Sequence, residues 1–194
     1  NTGTFTGAGA LLIAQNDGAS GFNPLSVINT GTIRSTPGDG SFAVQLYYGT
    51  GTLFNAGLIE AARLGVSVQE LTNTGTITSG STAVRNNGYG MVANSGTIRS
   101  TGGIALDLSG FAGSIVGTNS GLIDGALVGA YLYAGLTNSG TITSAGTGVL
   151  LANGGWIDNL AGGTVTGGTL AIGGSSFGSG TIRNAGTIIG TVDL

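Results

Sequence analysis

VINTGTI, residues 27–33, returns along the chain as LFNAGLI (53–59), LTNTGTI (71–77), VANSGTI (92–98), LTNSGTI (136–142) and IRNAGTI (182–188). A stretch that recurs this often is either a binding site presented many times or one rung of a scaffold. The spacing bears on the choice. Asn1, Asn29, Asn55, Asn73, Asn94, Asn119, Asn138, Asn159 and Asn184 follow one another at intervals of 18 to 28 residues and cover the whole chain. Two residues before the Asn stand Val27, Leu53, Leu71, Val92, Leu136, Ile157 and Ile182. Four residues after it stand Phe5, Ile33, Ile59, Ile77, Ile98, Ile123, Ile142 and Ile188. The rung at Asn159 is stretched to NLAGGTV, with Val165 in the isoleucine place, and the rung at Asn119 has Gly117 where the leading apolar residue belongs.

Apolar residues alternating with polar ones at period two read as strand, and the alternation puts the aliphatic, the Asn, the Gly and the Ile on one side. The intervening Ser and Thr residues face the other. Between rungs lies a second apolar stretch, seen in SFAVQL, GVSVQEL, GIALDL, AYLY, GVLLA and TLAIG. Each repeat therefore offers at least two short strands joined by Gly, Ser and Asn turns, with no helical period. A unit of this length cannot close a core alone. Stacked coils can, pairing strand on strand at about 4.8 Å around a continuous interior. The expected fold is an all-β parallel β-solenoid of about eight to nine coils of 18–28 residues, a single segment over residues 1–194.

In that fold the rung explains itself. Stacked Asn amides hydrogen-bond along the axis, Gly supplies a backbone conformation at a bend that a Cβ would forbid, and Ile fills the bore. The ladder is expected at Asn29, Asn55, Asn73, Asn94, Asn119, Asn138 and Asn184, with Ile33, Ile77, Ile98, Ile142 and Ile188 as its apolar column. NTGTI is thus read as a rung and not as a site.

Composition narrows the chemistry. Glycine supplies 41 of 194 residues, charged residues only 7%, and there is no His and no Cys. A net charge of −3 with five scattered arginines is the wrong surface for tracking phosphates, so nucleic acid is not an expected partner. The longest apolar run, GALVGAYLYAGL at 125–136, is too short and too glycine-broken to span a bilayer as a helix, and no membrane insertion of this segment is expected. The chain starts at Asn1 without Met and stops mid-pattern, as a segment of a longer protein would.

Motif look-alikes reduce to turns. GSSFG at 174–178 imitates a nucleophile elbow around Ser176, but no His exists to serve as base. GDGSFA and GYGMVA lack the strand-turn-helix of a dinucleotide site, and NDG and PGDG belong to no calcium loop. A polysaccharide-cleaving β-helix would need two acids facing each other across a groove. The acids instead align with arginines one coil away: Arg34 with Glu60, Arg99 with Asp124, Asp158 with Arg183, and Arg85 with Asp107. Asp17, Asp39, Glu70 and Asp193 remain scattered. No enzyme activity, catalytic residue, cofactor or metal is expected. Ice binding by Thr2/Thr4, Thr30/Thr32 and Thr74/Thr76 is the weaker reading, because Ala56, Leu58 and Leu122 interrupt the columns. Any local ligand site is expected in the long loops of the first coils, QNDGASGFNPLS and STPGDGS, near Phe22, Tyr47 and Tyr48.

Rungs of the form aliphatic-x-Asn-Ser/Thr-Gly-Thr-Ile, followed by Gly-x-Ala-Val/Leu stretches, resemble the passenger domains of bacterial autotransporters and related large secreted adhesins. The likeness runs through all 194 residues as a style of repeat. It implies a right-handed parallel β-helix displayed at a Gram-negative cell surface after crossing an outer-membrane pore unfolded. It also implies a C-terminal translocator barrel in the full chain. The expected role is a non-catalytic scaffold for adhesion or self-association, with a host surface protein, a glycan or another copy as partner. The alternative is a carbohydrate- or host-protein-binding module that uses the first loops.

Overall fold

The computed structural model describes residues 1–8, 11–14, 25–37, 42–47, 51–88, 90–110, 116–175 and 180–194. Among them the chain forms 26 β-strands and no helix. Each coil contributes three short strands, as in Ser26–Asn29, Thr32–Thr36 and Phe42–Tyr47. Every third strand along the chain joins the same sheet, which gives two sheets of nine strands and one of eight. Sheet 1 begins with Thr4–Ala8 and Thr32–Thr36, sheet 2 with Leu11–Ala14 and Phe42–Tyr47, and sheet 3 with Ser26–Asn29 and Thr52–Asn55. The described strand pairings within them are parallel, Asn29 against Asn55 and Ile33 against Ile59 being typical register partners. The molecule is a three-sided parallel β-solenoid.

One feature of the rung differs from its reading as a single strand. The motif turns a corner at its x-Gly pair: Val27 and Asn29 belong to sheet 3, Ile33 to sheet 1, and Thr30 and Gly31 form the bend. The period-two alternation survives because both strands point their apolar or amide residues into the same interior. The bend's backbone is satisfied by the coil beneath it. Ala56 and Gly57 both donate their N–H groups to Asn29 O, at 2.8 and 3.1 Å, and the same double contact recurs at the next corners.

The glycine of the rung also has a different cause from the expected one. Among the described residues only Gly154, Gly162 and Gly190 have positive φ among the glycines, and of these only Gly162 lies at a rung corner, in the stretched NLAGGTV turn. The requirement is close approach. A Cβ on Gly57 would overlap Gly31 O of the coil below, one on Gly75 would overlap Gly57 O, and one on Gly96 would overlap Gly75 O. Coils can stack at strand spacing here only if the corner has no side chain.

Three walls fill the interior. Sheet 3 supplies Leu53, Leu71, Val92, Leu136 and Ile157, and sheet 1 supplies Ile33, Ile59, Ile77, Ile98, Ile123, Ile142 and Val165, each 2% exposed or less. Sheet 2 adds Val44, Val66, Val84, Leu106, Ala130, Val149 and Ile172 in one column. Where Gly117 interrupts the aliphatic column, Leu136 and Leu108 close the gap, their Cδ1 atoms standing 2.8 and 3.0 Å from where a Cβ would be. Phe5, in the first coil, is 52% exposed because its column has no neighbour on one side among the described residues.

Candidate functional site

The most ordered polar feature is the Asn column. From Asn1 to Asn184, each side-chain amide donates to the next across eight consecutive hydrogen bonds of 2.7–2.9 Å. Between the two ends each amide also reaches two backbone carbonyls; Asn94 Nδ2 lies 3.3 Å from Gly96 O and 3.2 Å from Leu122 O. The ladder has a polarity, since Nδ2 always points to the following coil and Oδ1 to the preceding one. Asn29, Asn55, Asn73, Asn138 and Asn159 are fully buried and Asn119 nearly so. Amides bonded on both sides inside a core are spent on structure, which is what the rung reading expected of them.

A second buried amide was not legible in the repeat. Asn86 occupies an inward position of sheet 2 in register with Val68, where an aliphatic residue would be expected. It donates to Gln69 O at 2.6 Å and Gly90 O at 3.1 Å and accepts from Gly88 N–H at 2.9 Å, so it ties a tight corner rather than lining a site.

The charge columns follow the alignment in three cases of four. Arg34 meets Glu60 at 2.6 Å, Arg99 meets Asp124 at 2.7 Å and Arg85 meets Asp107 at 3.0 Å. Asp158 and Arg183 are register partners as expected, yet among the described residues no ion pair joins them. The expected fourth pair does not close: Arg183 lines, with Trp156, Ile157 and Thr181, an open recess.

The Arg85–Asp107 pair belongs to the densest cluster of ionisable groups. The side chain of Asp107 is only 4% exposed. Its Oδ2 takes the Arg85 bond, and its Oδ1 accepts from Ser109 N–H at 3.0 Å and Ser109 Oγ–H at 2.5 Å. Tyr131 is its register partner in the next coil and donates to Tyr133 Oη at 3.0 Å, with the two rings edge to face at 5.2 Å. Partial burial, the bond to Tyr133 and the nearby Asp107 charge push the Tyr131 phenol up to about 12. On the far side the Arg85 guanidinium stands 6.0 Å from the Phe42 ring centroid. A carboxylate almost wholly buried with both oxygens engaged is held in place, which is the arrangement of a structural acid.

The remaining candidates fall elsewhere. Phe22, Tyr48 and the side chain of Tyr47 lie outside the described residues, as do Ser176, Asp17 and Asp39. Glu70 is exposed on sheet 3 and Asp193 on the last strand of sheet 2. Among the described residues no three His, Cys, Asp or Glu side chains converge on a common point. The threonines placed in register by sheet 1 are Thr4, Thr32, Thr76, Thr97, Thr141, Thr164 and Thr187, with Leu58 and Leu122 in the same column. The partner column carries the Arg34–Glu60 and Arg99–Asp124 pairs, so the flat face is divided by charges and leucines.

Sheet 3 carries a different outward surface. Ile28 (56% exposed) and Phe54 (39%) stand side by side in adjacent coils. Further along, Met91 (47%) precedes Val92, and Val116 (44%) precedes Gly117, the register partner of Val92. Among the described residues, the large exposed apolar residues of sheets 1 and 2 are Phe5, Ile189 and Val192 in the first and last coils and Leu127 (62%), which precedes Val128 of sheet 2 in a middle coil. No protein-family model, curated protein or solved structure matches the chain.

Proposed function

We propose that the chain is a displayed, non-catalytic scaffold segment of the autotransporter-passenger or large-adhesin kind, and that it makes contact through the outward side of sheet 3. The observation that carries this reading is the unequal division of the three faces. Sheet 1 is solvated by threonines and charge pairs and sheet 2 carries Gln45, Ser67 and the Arg85–Asp107 pair outward, with Leu127 exposed beside it, while sheet 3 leaves Ile28, Phe54, Met91 and Val116 exposed. Between Ile28 and Val116 Glu70 is the charged residue on that side, and Asp158 and Arg183 follow further along the same face. A charge-poor row of exposed apolar residues along a rigid rod is the composition of an interaction surface. The engaged amides of the interior and the paired carboxylates of sheets 1 and 2 are consistent with a scaffold whose work is to hold that face away from the cell.

The partner is a host surface molecule or a second displayed copy, and the site of action is the exterior of a Gram-negative cell. The test replaces Ile28, Phe54, Met91 and Val116 together by Thr in the full-length protein, and scores cell–cell aggregation and attachment to host cells at matched surface levels. Loss of either with the fold retained supports the reading. Unchanged aggregation and attachment would remove sheet 3 from the contact. The alternative, recognition by the first loops, is favoured instead if Tyr47→Ala with Tyr48→Ala abolishes attachment and the sheet 3 variant does not.

A further inference from the structure

Trp156 is the only tryptophan of the chain and stands half-buried on the outward side of sheet 3, in the strand Trp156–Asn159. Its register partner in the coil below is Gly135, and the six-membered part of the indole lies directly over it: a Cβ there would collide with Cε2 and Cζ2. The coil above places Thr181 beside Trp156 and Arg183 beside Asp158. Trp156, Ile157, Thr181 and Arg183 line an open recess of about 170 Å³. Opposite charges in register close in three other places on this rod. Here they do not, and Arg183 lines the recess.

We propose that this recess is a subsite for one neutral pyranose unit of a saccharide. The indole offers the apolar wall against which the C–H face of a sugar ring packs. The Arg183 guanidinium donates to ring hydroxyls, and the Thr181 hydroxyl both donates and accepts. Asp158, in register beside Arg183, places a carboxylate next to the site, and its negative charge works against a carboxylated sugar. The chain's net charge of −3 works against a polyanion as well. The recess is smaller than the roughly 300–1,000 Å³ of pockets that enclose drug-sized ligands, which is the scale of a single ring and of weak monovalent binding. Many copies on one surface raise such binding through effective concentration. The inference rests on the displayed-adhesion reading and deepens it by naming a ligand class on the same face.

Because the chain has one tryptophan, its emission reports the site directly. The purified chain is titrated with methyl α-D-glucopyranoside, methyl β-D-galactopyranoside and N-acetyl-D-glucosamine, and in parallel with D-glucuronate and D-galacturonate. The expected result is a saturable emission change with at least one neutral sugar and affinity for the uronates at least about tenfold lower. On a glycan array, Trp156→Ala abolishes the signal, Arg183→Ala weakens it about tenfold and Trp156→Phe retains part of it. Circular dichroism and melting confirm that these outward-facing variants stay folded. Silence toward every neutral sugar overturns the proposal, as does tighter binding of the uronates. Array binding that survives Trp156→Ala places the saccharide site elsewhere. A response to an apolar peptide but to no sugar gives the recess to a protein partner. Surface display is measured separately, so its failure and the failure of this site are distinguishable.

Discussion

Asn94→Leu is the sharpest perturbation of the rod, because Leu has nearly the shape of Asn and leaves no cavity to confuse the result. Asn94 accepts from Asn73 Nδ2 at 2.8 Å and donates to Asn119 Oδ1 at 2.8 Å. After the substitution Asn119 Oδ1, in a residue 2% exposed, has lost its donor. Asn73 Nδ2 keeps only its long contacts to Gly75 O at 3.3 Å and Thr97 O at 3.2 Å. An orphaned buried acceptor costs about 1–3 kcal/mol and the net loss of two hydrogen bonds about 1 kcal/mol more, so destabilisation of about 2–4 kcal/mol is expected. For a chain of this size that is a fall in melting temperature of roughly 4–16 °C. Two controls accompany it. Asn184→Leu, at an exposed end of the ladder, should cost less than half as much, and Thr97→Ser, outward on sheet 1, should stay within about 0.5 kcal/mol of the parent. Unfolding is followed by circular dichroism in urea, with fits by nearest-neighbour stacking if the transition broadens. Equal effects from Asn94→Leu and Thr97→Ser would refute the ladder as a source of stability.

Three further outcomes follow from the same geometry. Exchanging Arg99 and Asp124 should keep stability, whereas Arg99→Glu alone should lower it by about 0.2–1 kcal/mol in an exposed column, and zero coupling in a low-salt double-mutant cycle would show that the two do not interact. Gly96→Ala should cost about 1–3 kcal/mol by forcing the corner away from Gly75 O, while Gly3→Ala, where a Cβ meets nothing within 4 Å, should be nearly neutral; denaturant midpoints separate them. The Tyr131 phenol, raised from 10.0 to about 12, favours the protonated form in the folded chain, so its contribution to stability is complete below pH 10 and is lost as pH rises from 10 toward 12. Ultraviolet titration should show a late-ionising tyrosine that disappears in Tyr131→Phe.

The rung was readable because every coil carries an anchor. Aligning on Asn fixes register in sheets 1 and 3 despite unequal coil lengths, which is why the Ile column, the amide ladder and the Arg99–Asp124 neighbours could be placed from sequence alone. The corner was hidden because a bend that keeps both strands pointing inward leaves the period-two pattern intact. The glycine was assigned to backbone freedom when the cause is the carbonyl of the coil below, a contact between residues such as Gly57 and Gly31 that no local reading contains. Sheet 2 has no anchor residue, so the inward place of Asn86 and the neighbourhood of Asp107, Tyr131 and Tyr133 could not be aligned with equal firmness. Trp156 over Gly135 is likewise a pairing across coils, visible only once Leu136 and Ile157 are in register. The expected fourth ion pair failed for a related reason: register brings two Cα atoms together but leaves long side chains free to choose other neighbours.

Display outside the cell after stepwise stacking of coils is the claim on which the functional reading depends, and one measurement reaches it directly. Thr143 and Thr166 are outward register partners in adjacent strands of sheet 1, close enough for a disulfide between cysteines placed there. In the full-length protein Thr143→Cys with Thr166→Cys creates a loop that forms in an oxidising periplasm and that a narrow pore cannot pass as a single extended strand. Whole cells are labelled with antibody under oxidising conditions and again with reductant present during synthesis. The predicted result is surface signal lost when the disulfide forms and restored by reductant. Full surface signal with the disulfide shown to have formed before export would contradict passage as an unfolded chain.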